Sequence, residues 1–100
     1  MKKLQGRRRP DTPSGDLPDN ILPGDYWKVI GPTPFWHVAV PLGRGDEAYA
    51  LGNLVNHTVR EHEDGTISVR PGDGSSNSIL VSRRDSTWHG YIDHGVLEEC

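Results

Sequence analysis

Along this chain short apolar, aromatic and β-branched runs, some alternating with polar residues and some unbroken, are separated by turn residues, and no segment repeats apolar positions at helical spacing. Residues 57–70 (H-T-V-R-E-H-E-D-G-T-I-S-V-R) and 87–100 (T-W-H-G-Y-I-D-H-G-V-L-E-E-C) read as two β-hairpins in tandem. Between them the aliphatic run Ile79-Leu80-Val81 reads as a central strand. In the first hairpin a three-residue loop, Glu63-Asp64-Gly65, sets His62 opposite Thr66 and gathers Val59, Ile67 and Val69 on one face. Gly65 then supplies the left-handed position. A two-residue loop would mix Arg60 and His62 into the apolar face, so the longer loop is preferred. The same criterion favours a three-residue loop, Asp93-His94-Gly95, in the last hairpin. It groups Trp88, Ile92 and Val96 and sets His89 opposite Glu99. A two-residue His94-Gly95 turn would set His89 opposite Cys100.

Upstream, residues 25–30 (D-Y-W-K-V-I) and 35–40 (F-W-H-V-A-V) are aromatic and β-branched and are joined by G-P-T-P, a turn fixed by two prolines. Residues 48–55 read as a strand, or as one helical turn and then a strand, because Gly52 and Asn53 oppose a longer helix. Residues 43–47 and 71–77 are expected loops. Residues 1–20, broken by Pro10, Pro13 and Pro18, hold almost nothing that can be buried and read as a disordered leader. The expected architecture is all-β: a single domain over residues 21–100, folded as a small antiparallel sheet or half-open barrel of tandem hairpins.

Composition narrows this picture. Only 33% of the residues are hydrophobic and Gly and Pro together number twenty, so the core is thin and stability is expected to be marginal. Charge is unevenly placed within the net −3. Residues 1–9 carry five Lys/Arg and no acid, while residues 10–100 set six Lys/Arg against all fourteen Asp/Glu, a balance of −8. A basic arm (Arg7, Arg8, Arg9) on an acidic body points to nucleic acid or an acidic protein surface as a contact for the arm alone. Cys100 is the only cysteine, which excludes an internal disulfide. The N-terminal charges are followed by no apolar stretch, so no signal peptide is expected, and the expected location is a reducing cytoplasm.

Five histidines and one cysteine are the first candidates for chemistry. No familiar zinc spacing is present. A zinc set would draw on His89 and Cys100 with a distant third ligand such as His37. A nucleophile at the last position of a chain is poorly held, so Cys100 is not read as catalytic and no enzyme is expected. Glu61, Glu63 and Asp64 form an acidic hairpin tip, read as solvated. The aromatic residues mostly serve core packing, but exposed Trp36 or Trp88, with Tyr91, would suit a protein-binding hot spot.

Three linked segments carry a resemblance: H-E-D-G-T-I-S-V-R-P (residues 62–71), S-I-L-V (78–81) and W-H-G-Y-I-x-x-G-V (88–96). Over roughly residues 25–100 the chain resembles a group of small uncharacterised proteins encoded by phages and prophages of actinobacteria. More distantly it is similar to a bacterial family of unknown function that looks like small zinc-binding β modules, with cysteine pairs and a Cys-x-x-His before the last strand. Here Ser86 stands three before His89, no cysteine pair lies upstream, and only His89 and Cys100 match. The resemblance implies a phage origin and expression in the host cytoplasm or virion. The function expected on these grounds is non-enzymatic protein–protein interaction with a host factor or virion component. The alternative is a zinc-stabilised module whose arm contacts nucleic acid.

Overall fold

A computed structural model describes residues 3–42, 48–70, 77–83 and 86–100, with the side chain of Arg83 left aside. The expected loops at 43–47 and 71–76 lie outside the described residues. Eleven strands and no helix are found among those described. They are β1 (Lys3–Gln5), β2 (Arg7–Arg8), β3 (Thr12–Pro13), β4 (Asp25–Ile30), β5 (Phe35–Pro41), β6 (Tyr49–Asn53), β7 (Arg60–Glu61), β8 (Ile67–Ser68), β9 (Ile79–Arg83), β10 (Ser86–Asp93) and β11 (Val96–Glu99). The fold is all-β, as the strand-turn-strand pattern predicts, and among the described residues the sheets do not close into a barrel.

Two sheets enclose one core. The first has the order β1-β11-β10-β9 and the second β2-β4-β5-β6, with β3 also paired to β4; β7 and β8 form a separate short hairpin. Tyr26, Trp36, Val38 and Val40 of the second sheet meet Val81, Trp88, Ile92 and Leu97 of the first. Ile67 and Val69 complete the interior from the short hairpin, where Val69 pairs with Ile92. Residues 48–55 resolve as strand β6. Segment 79–83 is an edge strand rather than a central one: Ile79 and Val81 point inward, while Leu80 is 64% exposed.

The two hairpins obey different turn rules. In the first, Arg60 pairs with Ser68 and Glu61 with Ile67, so the loop is Glu63-Asp64-Gly65, with Gly65 at φ 86°. In the last, Asp93 pairs with Val96 and Ile92 with Leu97, which leaves a two-residue turn. His94 (φ 46°) and Gly95 (φ 80°) both lie in the left-handed region, as a type I′ turn demands. The three-residue reading is thereby corrected. It placed Val96 inside, but the core residue of that strand is Leu97, opposite Ile92. Turn geometry outweighed the apparent apolar grouping because Leu97 is as good a partner for Ile92 as Val96.

Residues 3–20 are not a disordered leader. Lys3–Gln5 pairs antiparallel with β11, and Arg7–Arg8 and Thr12–Pro13 pair parallel with β4. Gly6 bridges the two sheets, its N–H donating to Gly95 O at 2.8 Å. In an extended strand three consecutive arginines alternate. Arg7 and Arg9 both reach the buried Asp25 carboxylate, each at 2.9 Å, while Arg8 turns the other way and lies 4.7 Å over the Trp36 ring. Leu22 N–H adds a third donor to Asp25 at 3.0 Å. Burial alone would raise the Asp25 pKa, but Arg7, the Leu22 amide and Arg9 together hold it below the ordinary carboxylate value. Composition cannot show this, because it treats each charge as solvated. A carboxylate buried across the chain draws the arginines in.

Candidate binding site

Strand β5 begins where Pro34 ends a turn, and it sends Trp36 inward and Phe35 to the other face. Beyond the end of β6 the chain stays tied to β5, with Leu54 N–H donating to Trp36 O at 2.8 Å. Residues 54–59 are then held against the body by specific bonds. His57 N–H donates to Leu54 O at 3.1 Å, and His57 Nε2–H donates to Ser78 O at 2.9 Å. Asn77 clips Thr58 from both sides, accepting its N–H and donating to its carbonyl, each at 2.9 Å. Between this segment and the Pro34 turn lies a groove of about 250 Å³ lined by Pro34, Phe35, Trp36, Leu54, Val55 and Val59. Its walls are mostly apolar, with Thr33 and His57 the polar members, and Val55 is 56% exposed. On the far side of Trp36, Lys28 is its cross-strand neighbour on β4.

Trp36 lines this groove from within the core, at 6% exposure, and Trp88 is buried at 2%. Neither is the exposed hot spot expected of it. Each lies on the inward parity of its strand, and in a thin core two indoles are too large to spare. Tyr91 is half-buried on the outer face of β10, with its hydroxyl bonded to Glu98; burial and that carboxylate raise its pKa.

The candidate metal residues are not gathered. The two-residue turn sets His89 opposite Cys100, whose N–H donates to His89 O at 2.8 Å. His89 Nε2, however, lies 3.0 Å from Ser78 Oγ. His37 is on the second sheet, between Trp27 (ring centroids 5.5 Å apart) and Phe35 (5.0 Å), where burial lowers its pKa. Among the described residues no three His, Cys, Asp or Glu side chains form a metal-binding group. The arm residues are also committed within the fold. Arg7 and Arg9 hold Asp25, and Arg8 pairs with Glu61 at 3.2 Å and Asp11 at 3.4 Å and donates to Gly65 O at 2.8 Å. The acidic tip is used in the same way: Asp64 takes both the N–H and the hydroxyl of Thr66, which lowers its pKa.

One cluster escaped the reading of the sequence. His62 and His94, at the tips of different hairpins, stack with centroids 4.0 Å apart and planes 9° from parallel. Ser68 Oγ lies 2.7 Å from His62 Nε2 and accepts the His94 N–H at 2.9 Å, while His94 Nδ1 meets Asp93 at 2.8 Å. A Ser–His contact invites a catalytic interpretation, but Ser68 is only 2% exposed. A hydroxyl shut away from solvent cannot reach a substrate, and its bonds tie the two hairpin tips together. The parallel rings also point their in-plane lone pairs alongside one another rather than at one ion.

The groove went unnoticed for a different reason. Leu54 and Val55 read as the end of a strand, or of a helical turn and then a strand, over residues 48–55, and Val59 as part of the apolar face of the first hairpin, so no signal in the sequence joins the three. No family model, no curated protein and no solved structure matches the chain.

Proposed function

We propose that this chain is a non-enzymatic protein-binding module whose groove beside Trp36 receives an apolar side chain of a partner protein. The observation that carries this reading is the groove itself: an open, mostly apolar cleft with the half-exposed Val55 on its wall. The resemblance to proteins of actinobacterial phages makes a host factor or virion component the class of partner, met in the host cytoplasm or virion.

Selection from a random peptide library, followed by amide chemical-shift mapping, tests the reading. Selected peptides should perturb Phe35, Leu54 and Val55, and Val55→Asp should abolish their binding with melting unchanged. Peptides that bind Val55→Asp as well as the parent would sink the proposal.

A further inference from the structure

We infer that His62 is a proton switch: a proton taken up at its Nε2 breaks the Ser68 bridge that ties the tip of the first hairpin to the turn of the last. The bridge is a matter of counting hydrogens. Ser68 Oγ carries one hydrogen and has two partners among the described residues. The His94 backbone N–H can only donate, so in that bond of 2.9 Å the hydroxyl oxygen accepts. The hydroxyl hydrogen is left for His62 Nε2 at 2.7 Å, which must then be the bare, accepting nitrogen. Neutral His62 with its hydrogen on Nδ1 meets that demand. Protonated His62 does not, because Nε2 then donates and Ser68 faces two donors with its own hydrogen unplaced. Ser68 is only 2% exposed, so bulk water offers that hydrogen no acceptor. A buried donor left without a partner is unfavourable, and one side of the bridge gives way.

The charged neighbours do not remove the conflict. The His94 ring lies parallel to His62 with centroids 4.0 Å apart, so charge on both rings is mutually repelled. Asp93 bonds His94 Nδ1 at 2.8 Å and Arg70 at 3.2 Å, so its direct bonds serve the second histidine. Asp64, next to Glu63 in the hairpin loop, accepts the N–H and the hydroxyl of Thr66. From the N-terminal segment Arg8 reaches the same tip, donating to Gly65 O at 2.8 Å and pairing with Glu61 at 3.2 Å. The tip is exposed, so water and salt weaken the pull of these carboxylates on His62. None of them is bonded to the Ser68 hydroxyl. The change is local, because the Val69–Ile92 bridge and the bond from Gly95 N–H to Ile67 O need no side-chain proton. The tie is complete with His62 neutral and is lost as pH falls.

Nuclear magnetic resonance of the full chain tests this. At about pH 7.5 the imidazole nitrogen and hydrogen correlations should place the His62 hydrogen on Nδ1 and leave Nε2 bare. Lowering the pH to about 5 should cut the protection of the His94 amide by about tenfold, after correction for intrinsic exchange. Val69 and Ile92 should keep their protection, which separates local release from global unfolding. His62→Gln offers an amide oxygen to the Ser68 hydrogen and takes up no proton, so its His94 amide should stay protected at both pH values. A hydrogen on His62 Nε2 at the higher pH would overturn the inference. Equal protection at both pH values in the parent would overturn it too, as would a loss that survives in His62→Gln. Should that variant not fold, the tautomer and the exchange of the parent still decide.

Discussion

The two sheets of this molecule are built from similar residues but are covered differently. In the first, β10 alternates: Trp88, Gly90 and Ile92 are buried, while Thr87 and His89 face solvent. In the second, Val38, Ala39 and Val40 are buried in succession on β5, and β4 buries Asp25, Tyr26 and Trp27 in a row. Alternation marks a sheet with one wet face, and an unbroken buried run marks a sheet covered on both. The outward Trp27 and Ala39 are wholly inaccessible, on the same face as Asp25, to which Arg7, Arg9 and Leu22 are bonded. The N-terminal segment is thus part of the second sheet's outer cover.

Removing that clasp should give the largest effect. Arg7→Met with Arg9→Met strands the Asp25 carboxylate and should lower stability in chemical denaturation, with loss of amide protection through residues 7–13. The pH profile separates the contributions. His37, whose folded pKa lies below 6.5, favours folding fully above that value, and its share is lost as pH falls. Asp25, whose folded pKa lies below 3.8, keeps its share above that value and loses it as pH falls further. The double variant should retain the first decline and lose Asp25's part of the second, keeping the parts of Asp64 and Asp93. A second decline undiminished in the variant would assign it wholly to other carboxylates.

Truncating one indole from each sheet, Trp27→Ala or Trp88→Ala, should each cost about 3–4 kcal/mol. An outer face that was only loosely covered would make Trp27→Ala much the milder of the two. Gly90→Ala is expected to cost about 2 kcal/mol, because a Cβ at that position would run into the Glu98 carbonyl. The smallest contrast lies within the edge strand β9. Val81→Ala should cost about 2 kcal/mol and Leu80→Ser less than about 0.5 kcal/mol, which checks the one-sided burial of the first sheet by thermal melting.

The all-β class and the register of the first hairpin could be read from residue type and turn chemistry, because both are local. The errors were non-local. The last hairpin offered two apolar groupings of similar quality, and only the positive φ at His94 and Gly95 decides between them. The arginine-rich segment looked solvated because its carboxylate partner stands 16 to 18 positions away. Yet the run F-W-H-V-A-V was visible without alternation, and such a run calls for a second cover from somewhere in the chain. For the site, Trp36 was singled out for exposure it does not have, although it does line the groove. Its neighbours Leu54, Val55 and Val59 come together only when residues 54–59 are pinned by His57 and Asn77.

The pairing of Lys3 with Glu98 has a kinetic corollary. Strand β1 finds its partner in β11, far along the chain, so the first sheet cannot be completed until β11 has been made. Local hairpins can form early, but closure across so great a sequence separation is slow. During that interval the free edge of β11 is open to the N-terminal strand of a neighbouring chain, and refolding at high concentration should therefore yield exchanged dimers.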